Sequence, residues 1–325
     1  MNDPILDVRH ATKTFGAQNP GLGAVLASLR LARRARPVHA VSDVSFSVTR
    51  KEVLGVVGES GCGKSTLGRM VAGLLQPSSG EIVQITAPGE KPRPLARQMI
   101  FQDPFSSLNP RQRVAELIGE APRVHRIVPT ADLEDYTSDM MERCGIDPSY
   151  AGRFAHQFSG GQRQRIGIAR ALAVRPDMLI ADEAVSALDV SVQAQIINLF
   201  LQLRDEFGLT YLFISHDLGV VRHLSDRVLV MYLGRVVEQG PVGEVFEKPN
   251  HPYTHALIDG VPRLERRRQQ YQPIKGDMPS PMDPPKGCHF HPRCPHALPR
   301  CRTEVPALRD IAPGRQSACH LNEQK

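Results

Sequence analysis

The consecutive residues Gly58, Glu59, Ser60, Gly61, Cys62, Gly63, Lys64, Ser65 and Thr66 hold the clearest chemistry in the chain. They fit the spacing G-x4-G-K-S/T. Glycines at these positions let backbone N–H groups converge on phosphate oxygens, and the N-terminus of a following helix adds positive potential. Lys64 is then placed to reach the β- and γ-phosphates of a nucleotide, and the Ser65 hydroxyl to bind Mg²⁺. Such a loop also needs a distant acid for the metal. The apolar run Met178–Ala181 ends in Asp182 and Glu183. A strand there delivers Asp182 to the phosphates as the Mg²⁺ partner and leaves Glu183 to polarise an attacking water as general base. An acid pair after a strand also serves as a helix cap. The phosphate loop upstream favours the metal-and-base reading.

Such residues need a sheet and helices to hold them. Val53–Val57 reads as a buried strand before the phosphate loop, with a helix starting near Lys64. Ile5–Val8 and Val41–Val48 alternate apolar and polar residues as half-buried antiparallel strands do. Between them Leu22, Val25, Leu26 and Leu29 recur at helical spacing and run into Arg30, Arg33, Arg34 and Arg36. That insert reads either as a basic amphipathic helix at a membrane surface or as a surface insert. Residues of about 105–158 read as an inserted helical subdomain, with Val114–Gly119 and Leu133–Cys144 helical and Pro110, Pro122, Pro129 and Pro148 breaking it. From about 159 to 255 helices alternate with the apolar strands Met178–Ala181, Tyr211–Ile214 and Val228–Leu233. That alternation predicts a parallel sheet covered on both faces. Ten of the 27 prolines fall between Pro273 and Pro313, which argues against long helices or central strands there.

The 325 residues are 41% hydrophobic and 23% charged, ordinary for a globular protein. The longest apolar run, Val228–Leu233, is far shorter than the roughly 18 residues of a membrane span. The first ten residues carry no basic stretch followed by an apolar one, so no secretory signal is expected. A cytoplasmic protein with reduced cysteines is the expectation. Charge is uneven: residues 1–50 hold seven basic and three acidic side chains, 51–259 hold 21 and 25, and 260–325 hold twelve and six. The basic ends read as solvated surface or as contacts with a partner or membrane. A nucleic-acid binder would carry its basic stripe on the folded unit itself.

The run Phe158, Ser159, Gly160, Gly161, Gln162 is more specific. Here the chain resembles the ATP-binding subunits of ABC transporters, whose signature is LSGGQ, with Phe158 in place of Leu. Gln102 matches that family's Q-loop, Ser186–Asp189 its D-loop and His216 its switch histidine, all in the family's order over about residues 5–250. The resemblance implies an α/β P-loop NTPase (RecA-like) core with an antiparallel β subdomain, an inserted helical subdomain and a small Cys/Pro-rich extension. It divides the chain into an ATP-binding domain at 1–255 and the extension at 256–325. It implies Glu183, His216 and Gln102 as catalytic residues, Gln102 also as a Mg²⁺ ligand, and Ser159, Gly160, Gly161 and Gln162 as binders of ATP held by a facing protomer. Asp189 is expected at that interface. Phe15 is expected either to stack on adenine or to serve the core. Ala184 stands where the family commonly has Pro after the catalytic Glu.

Residues 102–111, 58–68 and His251–Leu257 are similar to the oligopeptide/dipeptide import branch, in particular to the second of its two ATPase subunits. That implies a non-identical ATPase partner, two permease subunits, an extracytoplasmic binding protein, and residence at the cytoplasmic face of the inner membrane. Cys62 and Cys144 read as packing residues. Cys288, Cys294, Cys301 and Cys319 form C-x5-C-x6-C-x17-C in the Pro-rich extension. Four thiolates suit zinc or a 4Fe–4S cluster, and His289, His291 and His320 lie near. Spacing alone leans to zinc, resemblance to peptide importers leans to the cluster, and four unliganded thiols are the bland alternative. The competing function is a soluble ABC-type ATPase acting on nucleic acid or ribosomes, which commonly carries two nucleotide halves or a long coiled coil. This chain shows neither.

Overall fold

Every second residue of the central strands faces the same side, and the two sides bury different sets. This is a computed structural model in which residues 3–16, 36–86, 96–103, 107–260, 274 and 276–324 are described. The insert Leu22–Arg34 and part of the run after Gln102 lie outside them. β1 (Pro4–Phe15), β2 (Val38–Thr49) and β4 (Ser79–Gln84) form an antiparallel sheet in the order β2-β1-β4. The main sheet has the order β10-β11-β9-β8-β3-β7-β6-β5. Its strands are β3 (Val53–Val57), β5 (Arg97–Ile100), β6 (Met178–Asp182), β7 (Thr210–Ile214), β8 (Arg227–Tyr232), β9 (Arg235–Pro241), β10 (Arg309–Ala312) and β11 (Arg315–Ser317). The strands from β8 through β3, β7 and β6 to β5 run parallel, and β9, β11 and β10 add antiparallel.

Strand alternation splits the molecule into two cores. Leu54, Val56, Leu212, Ile214 and Met231 pack with the antiparallel sheet and with α1 (Lys64–Val71). Val53, Val57, Phe213, Val230 and Tyr232 pack on the opposite face with the remaining helices. Those helices are α2 (Val114–Val124), α3 (Leu133–Arg143), α4 (Gly160–Leu172), α5 (Val190–Phe207), α6 (Leu218–Leu224), α7 (Val242–Glu247) and α8 (Pro252–Asp259). α2 and α3 are the expected helical subdomain. Tyr136 ties it to the end of α4 by donating to the Ala173 carbonyl at 2.8 Å.

Three departures from the sequence reading have physical causes. Pro122 does not break α2: it forfeits one bond to the Ile118 carbonyl near the helix end, while the buried face of Val114, Leu117, Ile118 and Pro122 itself holds the turn in place. β4 was not foreseen: half-exposed and polar, it is held by its pairing with β1. The Pro-rich extension supplies two short strands at one end of the sheet, β10 at its edge and β11 inside it, and β11 pairs with β9 at Gln316–Gln239 and Ser317–Glu238. Edge pairing tolerates a Pro-rich chain where a central strand would not. The extension shares the second core. Phe290 is 2% exposed and meets Tyr232 at 5.2 Å and Tyr253 at 5.4 Å between ring centroids. Beneath β11 the fully buried Glu238 accepts from Arg315 Nη2 at 2.8 Å and from the His251 N–H at 2.9 Å.

Candidate nucleotide site

The loop between β3 and α1 is shaped by contacts no side chain would tolerate. Gly58 has φ +153°, and a Cβ there would strike the Met231 carbonyl. Gly63, the α1 N-cap at φ +107°, lies against the Ala40 carbonyl in the same way. The loop is thus wedged between β8 and β2, with the α1 N-terminus opening onto it. Lys64 is 4% exposed, and its Nζ donates to the Gly58 carbonyl at 2.9 Å and the Glu59 carbonyl at 3.1 Å. Cys62 is buried, and burial raises its thiol, as suits a packing residue. Cys144 is likewise buried, its thiol pushed up to about 12.

The sheet order places β6 two strands from β3, and Asp182 ends it beside the loop. Ser65 Oγ donates to Asp182 Oδ1 at 2.8 Å. Burial raises the Asp182 carboxyl, the Ser65 bond opposes that, and the Glu183 charge adds to it. A hydroxyl beside a buried carboxylate suits a hard divalent cation.

A second group forms around Glu183 Oε2. Gln102 Nε2 donates to it at 3.1 Å, and His216 Nδ1 lies 3.3 Å away. Glu183 has a left-handed backbone, φ +50°, costing about 1 kcal/mol for a residue with a side chain. The turn is held by its N–H on the Ile214 carbonyl at 2.9 Å and by the Ser186 hydroxyl on its own carbonyl at 2.9 Å. The position after it needs no proline: Ala184 is buried in the turn. His216 is mounted between the end of β7 and α6, whose N-cap Asp217 accepts from Gly219 N at 2.8 Å. Gln102, expected at both the metal and the catalytic group, is bonded to Glu183 here.

Ser159 N-caps α4, and Gln162 closes a capping box: its Oε1 accepts from Ser159 N at 3.0 Å, and Ser159 Oγ accepts from Gln162 N at 3.4 Å. The SGGQ run therefore builds its own helix start. Phe158 is buried edge-on to Tyr150, filling a core position. A Cβ on Gly161 would strike Val192, and one on Gly160 would lie 3.7 Å from Leu188, so the signature and the exposed Asp189 share a surface. Among the described residues, no hydrogen bond joins Ser159–Gln162 to the phosphate loop. Phe15 ends β1 at 41% exposure, which removes the core reading, and Lys13 Nζ lies 5.5 Å from its ring centroid.

The extension's four cysteines are free thiols. Burial pushes Cys288 up to about 11, and the charges of Cys301, Cys294 and Cys319 add to that, so the four sulfurs share a neighbourhood. The donor set suits a soft metal. Among the described residues, no group of three or more His, Cys, Asp and Glu is gathered closely enough to hold a metal ion. His289, His291 and His320 each commit one ring nitrogen to a backbone carbonyl. Sequence reasoning missed Tyr253 and Arg293, which reach the phosphate loop at Glu59. The run His251–Leu257 carries the branch resemblance, but nothing in its residue types points to that loop.

A glycine-rich loop between a central strand and a helix, a carboxylate bonded to it and a separate self-capped Ser-Gly-Gly-Gln turn are the layout expected of an ATP-binding cassette. The chain matches the family model for the ABC transporter over residues 41–186 and that for the oligopeptide/dipeptide transporter C-terminal region over 237–301. It is 48% identical over 330 residues to an oligopeptide transport ATP-binding protein, AppF of Bacillus subtilis (strain 168), covering 98% of both chains. It is 50% identical over 292 residues to a probable peptide ABC transporter ATP-binding protein, y4tS of Sinorhizobium fredii, covering 87% of this chain and 83% of that one. The chain belongs to the ATP-hydrolysing, ATP-binding subunits of ABC transporters, in the oligopeptide/dipeptide group. Among solved structures, cbiO1 of Clostridium perfringens, part of the ABC transporter complex cbiONQ, matches with TM-score 0.62 and 28% identity over 76% of this chain and 92% of that one. The ATP-binding cassette MJ0796, solved as a dimer with ADP and Pi, shares the fold at TM-score 0.59 and 23% identity, over 73% of this chain and 99% of that one.

Proposed function

We propose that this chain hydrolyses ATP to power peptide import through a membrane permease, as one half of a dimer that clamps nucleotide between its protomers. The observation that carries this is the separation on one chain of a complete phosphate loop and an exposed, self-capped signature. Each half-site is built, and a facing protomer completes both. The partners are a second, non-identical ATPase, two permease subunits and an extracytoplasmic binding protein. The chain works at the cytoplasmic face of the inner membrane, and among the described residues no helix is long and apolar enough to cross a membrane. The peptide-transport relatives and the oligopeptide C-terminal match favour transport over action on nucleic acid.

In this reading the ATP-binding domain is about 1–255 and the extension about 256–325. Phe15 stacks on adenine. The loop from Gly58 through Ser60, Gly61, Cys62 and Gly63 to Thr66 cradles the phosphates with its N–H groups, and Lys64 turns from the loop carbonyls to the terminal phosphates. Ser65 and Asp182, with Gln102, would hold Mg²⁺, which when bound would supply positive charge against the phosphate oxygens. Glu183 Oε2 takes the proton of the attacking water while His216 and Gln102 orient it. Ser159, Gly160, Gly161 and Gln162 of this chain contact the γ-phosphate of ATP held on the facing subunit's phosphate loop, across the interface bearing Asp189. Hydrolysis removes the group that holds the clamp shut.

Glu183→Gln tests the base. Nucleotide binding is expected to persist while steady-state hydrolysis in the assembled transporter falls by about 10²–10⁴. Turnover at the normal rate would reject the assignment. The extension is proposed to hold a 4Fe–4S cluster on Cys288, Cys294, Cys301 and Cys319. Anaerobically purified protein is expected to be brown, with about four iron and four sulfide per chain. One zinc in a colourless preparation would assign zinc, and metal-free protein would reject both.

A further inference from the structure

Glu59 occupies a position in the phosphate loop that the motif leaves open, yet all three of its polar groups are used. Its carbonyl accepts from Lys64 Nζ at 3.1 Å. Its N–H donates to the Tyr253 hydroxyl at 2.9 Å. Its carboxylate takes both arms of Arg293, Nη1 to Oε2 at 2.7 Å and Nη2 to Oε1 at 3.1 Å. Arg293 belongs to the C-terminal extension, 234 residues away in sequence. Its side chain is 7% exposed, against 26% for Glu59, and its Nη1 also lies 3.4 Å from the Tyr232 hydroxyl. Tyr232 and Tyr253 are the rings against which Phe290 packs, so the backbone carrying Arg293 is fixed in the shared core.

The extension touches the loop again. Met278 Cε lies 3.6 Å from the position a Cβ on Gly61 would take. Beside it, the Pro281 carbonyl accepts from His39 N at 2.9 Å, one residue along β2 from Val38, the partner of Phe15. A bidentate guanidinium–carboxylate pair sets direction as well as distance. Here it also neutralises a carboxylate standing beside the place where a polyphosphate binds.

We propose that Arg293 is a positioning residue for nucleotide: by gripping Glu59, it lets the C-terminal extension set the shape and charge of the phosphate loop. This rests on the reading of that loop as the ATP site. Without the guanidinium, Glu59 keeps an uncompensated negative charge next to the phosphates, and the loop loses a fixed anchor one hydrogen bond from Lys64. The extension is then a control element of ATP affinity.

The test is a titration of the full chain with a fluorescent Mg-nucleotide, alongside thermal unfolding. Arg293→Ala is expected to raise Kd about tenfold, within the usual range of coupling between sites. Arg293→Lys, which keeps the charge and loses the fork, is expected to raise it about threefold. In a Glu59→Gln background the Arg293→Ala penalty should shrink to less than about twofold, because the stranded charge is gone. Arg300→Ala breaks exposed pairs of the extension with Glu304 and Glu323 and should leave Kd unchanged even where unfolding shifts. Arg293→Ala and Arg293→Lys binding like the parent would overturn the proposal. So would an Arg293→Ala penalty undiminished by Glu59→Gln. Should Arg293→Ala fail to fold, Arg293→Lys carries the test. A parent chain that takes up no nucleotide would sink the ATP-site reading first and this proposal with it.

Discussion

His251 is 1% exposed at the start of α8, and its Nδ1 accepts from Tyr253 N at 3.1 Å. Burial pulls its pKa down from 6.5 to about 3. The folded chain therefore keeps this ring neutral while the unfolded chain protonates it below 6.5. Stability contributed by the neutral ring is complete above that value and falls as pH drops toward 3. At pH 5 the loss is about 2 kcal/mol. Denaturant unfolding at pH 7 and pH 5 should show it, and His251→Asn, which keeps an acceptor for the cap and does not titrate, should reduce the difference by that amount. An unchanged difference would mean that His251 gains its proton without unfolding. The ring matters to function because Tyr253, two residues on, holds the phosphate loop at Glu59.

At the scale of elements, the contact of α4 with α5 sets where the signature points. Gly161 is pressed against Val192, so Gly161→Ala must push α4 off its neighbour. ATPase activity of the assembled transporter should fall about tenfold or more, since small misplacement of contacting groups is costly. Adding Val192→Ala removes the colliding methyls and should restore most of it. If the double variant stays as inactive as the single, the glycine is needed for contact with nucleotide and not for packing. This glycine also marks how far the sequence could be read. Its motif was plain, as were the phosphate loop, the acids of β6 and the apolar central strands, because strands buried on both faces and loops that touch phosphate tolerate few residue types. β4, β10 and β11 were not legible: their hydrogen bonds come from neighbours fixed elsewhere in the chain, β4 and β10 are half-exposed, and β11 buries polar residues that carry no apolar pattern. The grip of Arg293 on Glu59 was invisible for the same reason, since one arginine among many in a basic tail carries no periodicity.

For the whole molecule, two cores divided by one sheet make a rigid carrier with the phosphate loop at one place and the signature surface at another. Nothing within the described residues bonds the one to the other, which agrees with the proposed clamp between subunits. The direct test is photolabelling of the assembled transporter with an ATP analogue reactive at its γ-phosphate, mapped by peptide mass spectrometry, with this chain carrying Lys64→Ala. The clamp predicts that Ser159–Gln162 of this chain is still labelled, because the nucleotide sits on the facing subunit's phosphate loop. Label that vanishes with Lys64→Ala, yet reaches Ser159–Gln162 in the isolated parent chain, would contradict it.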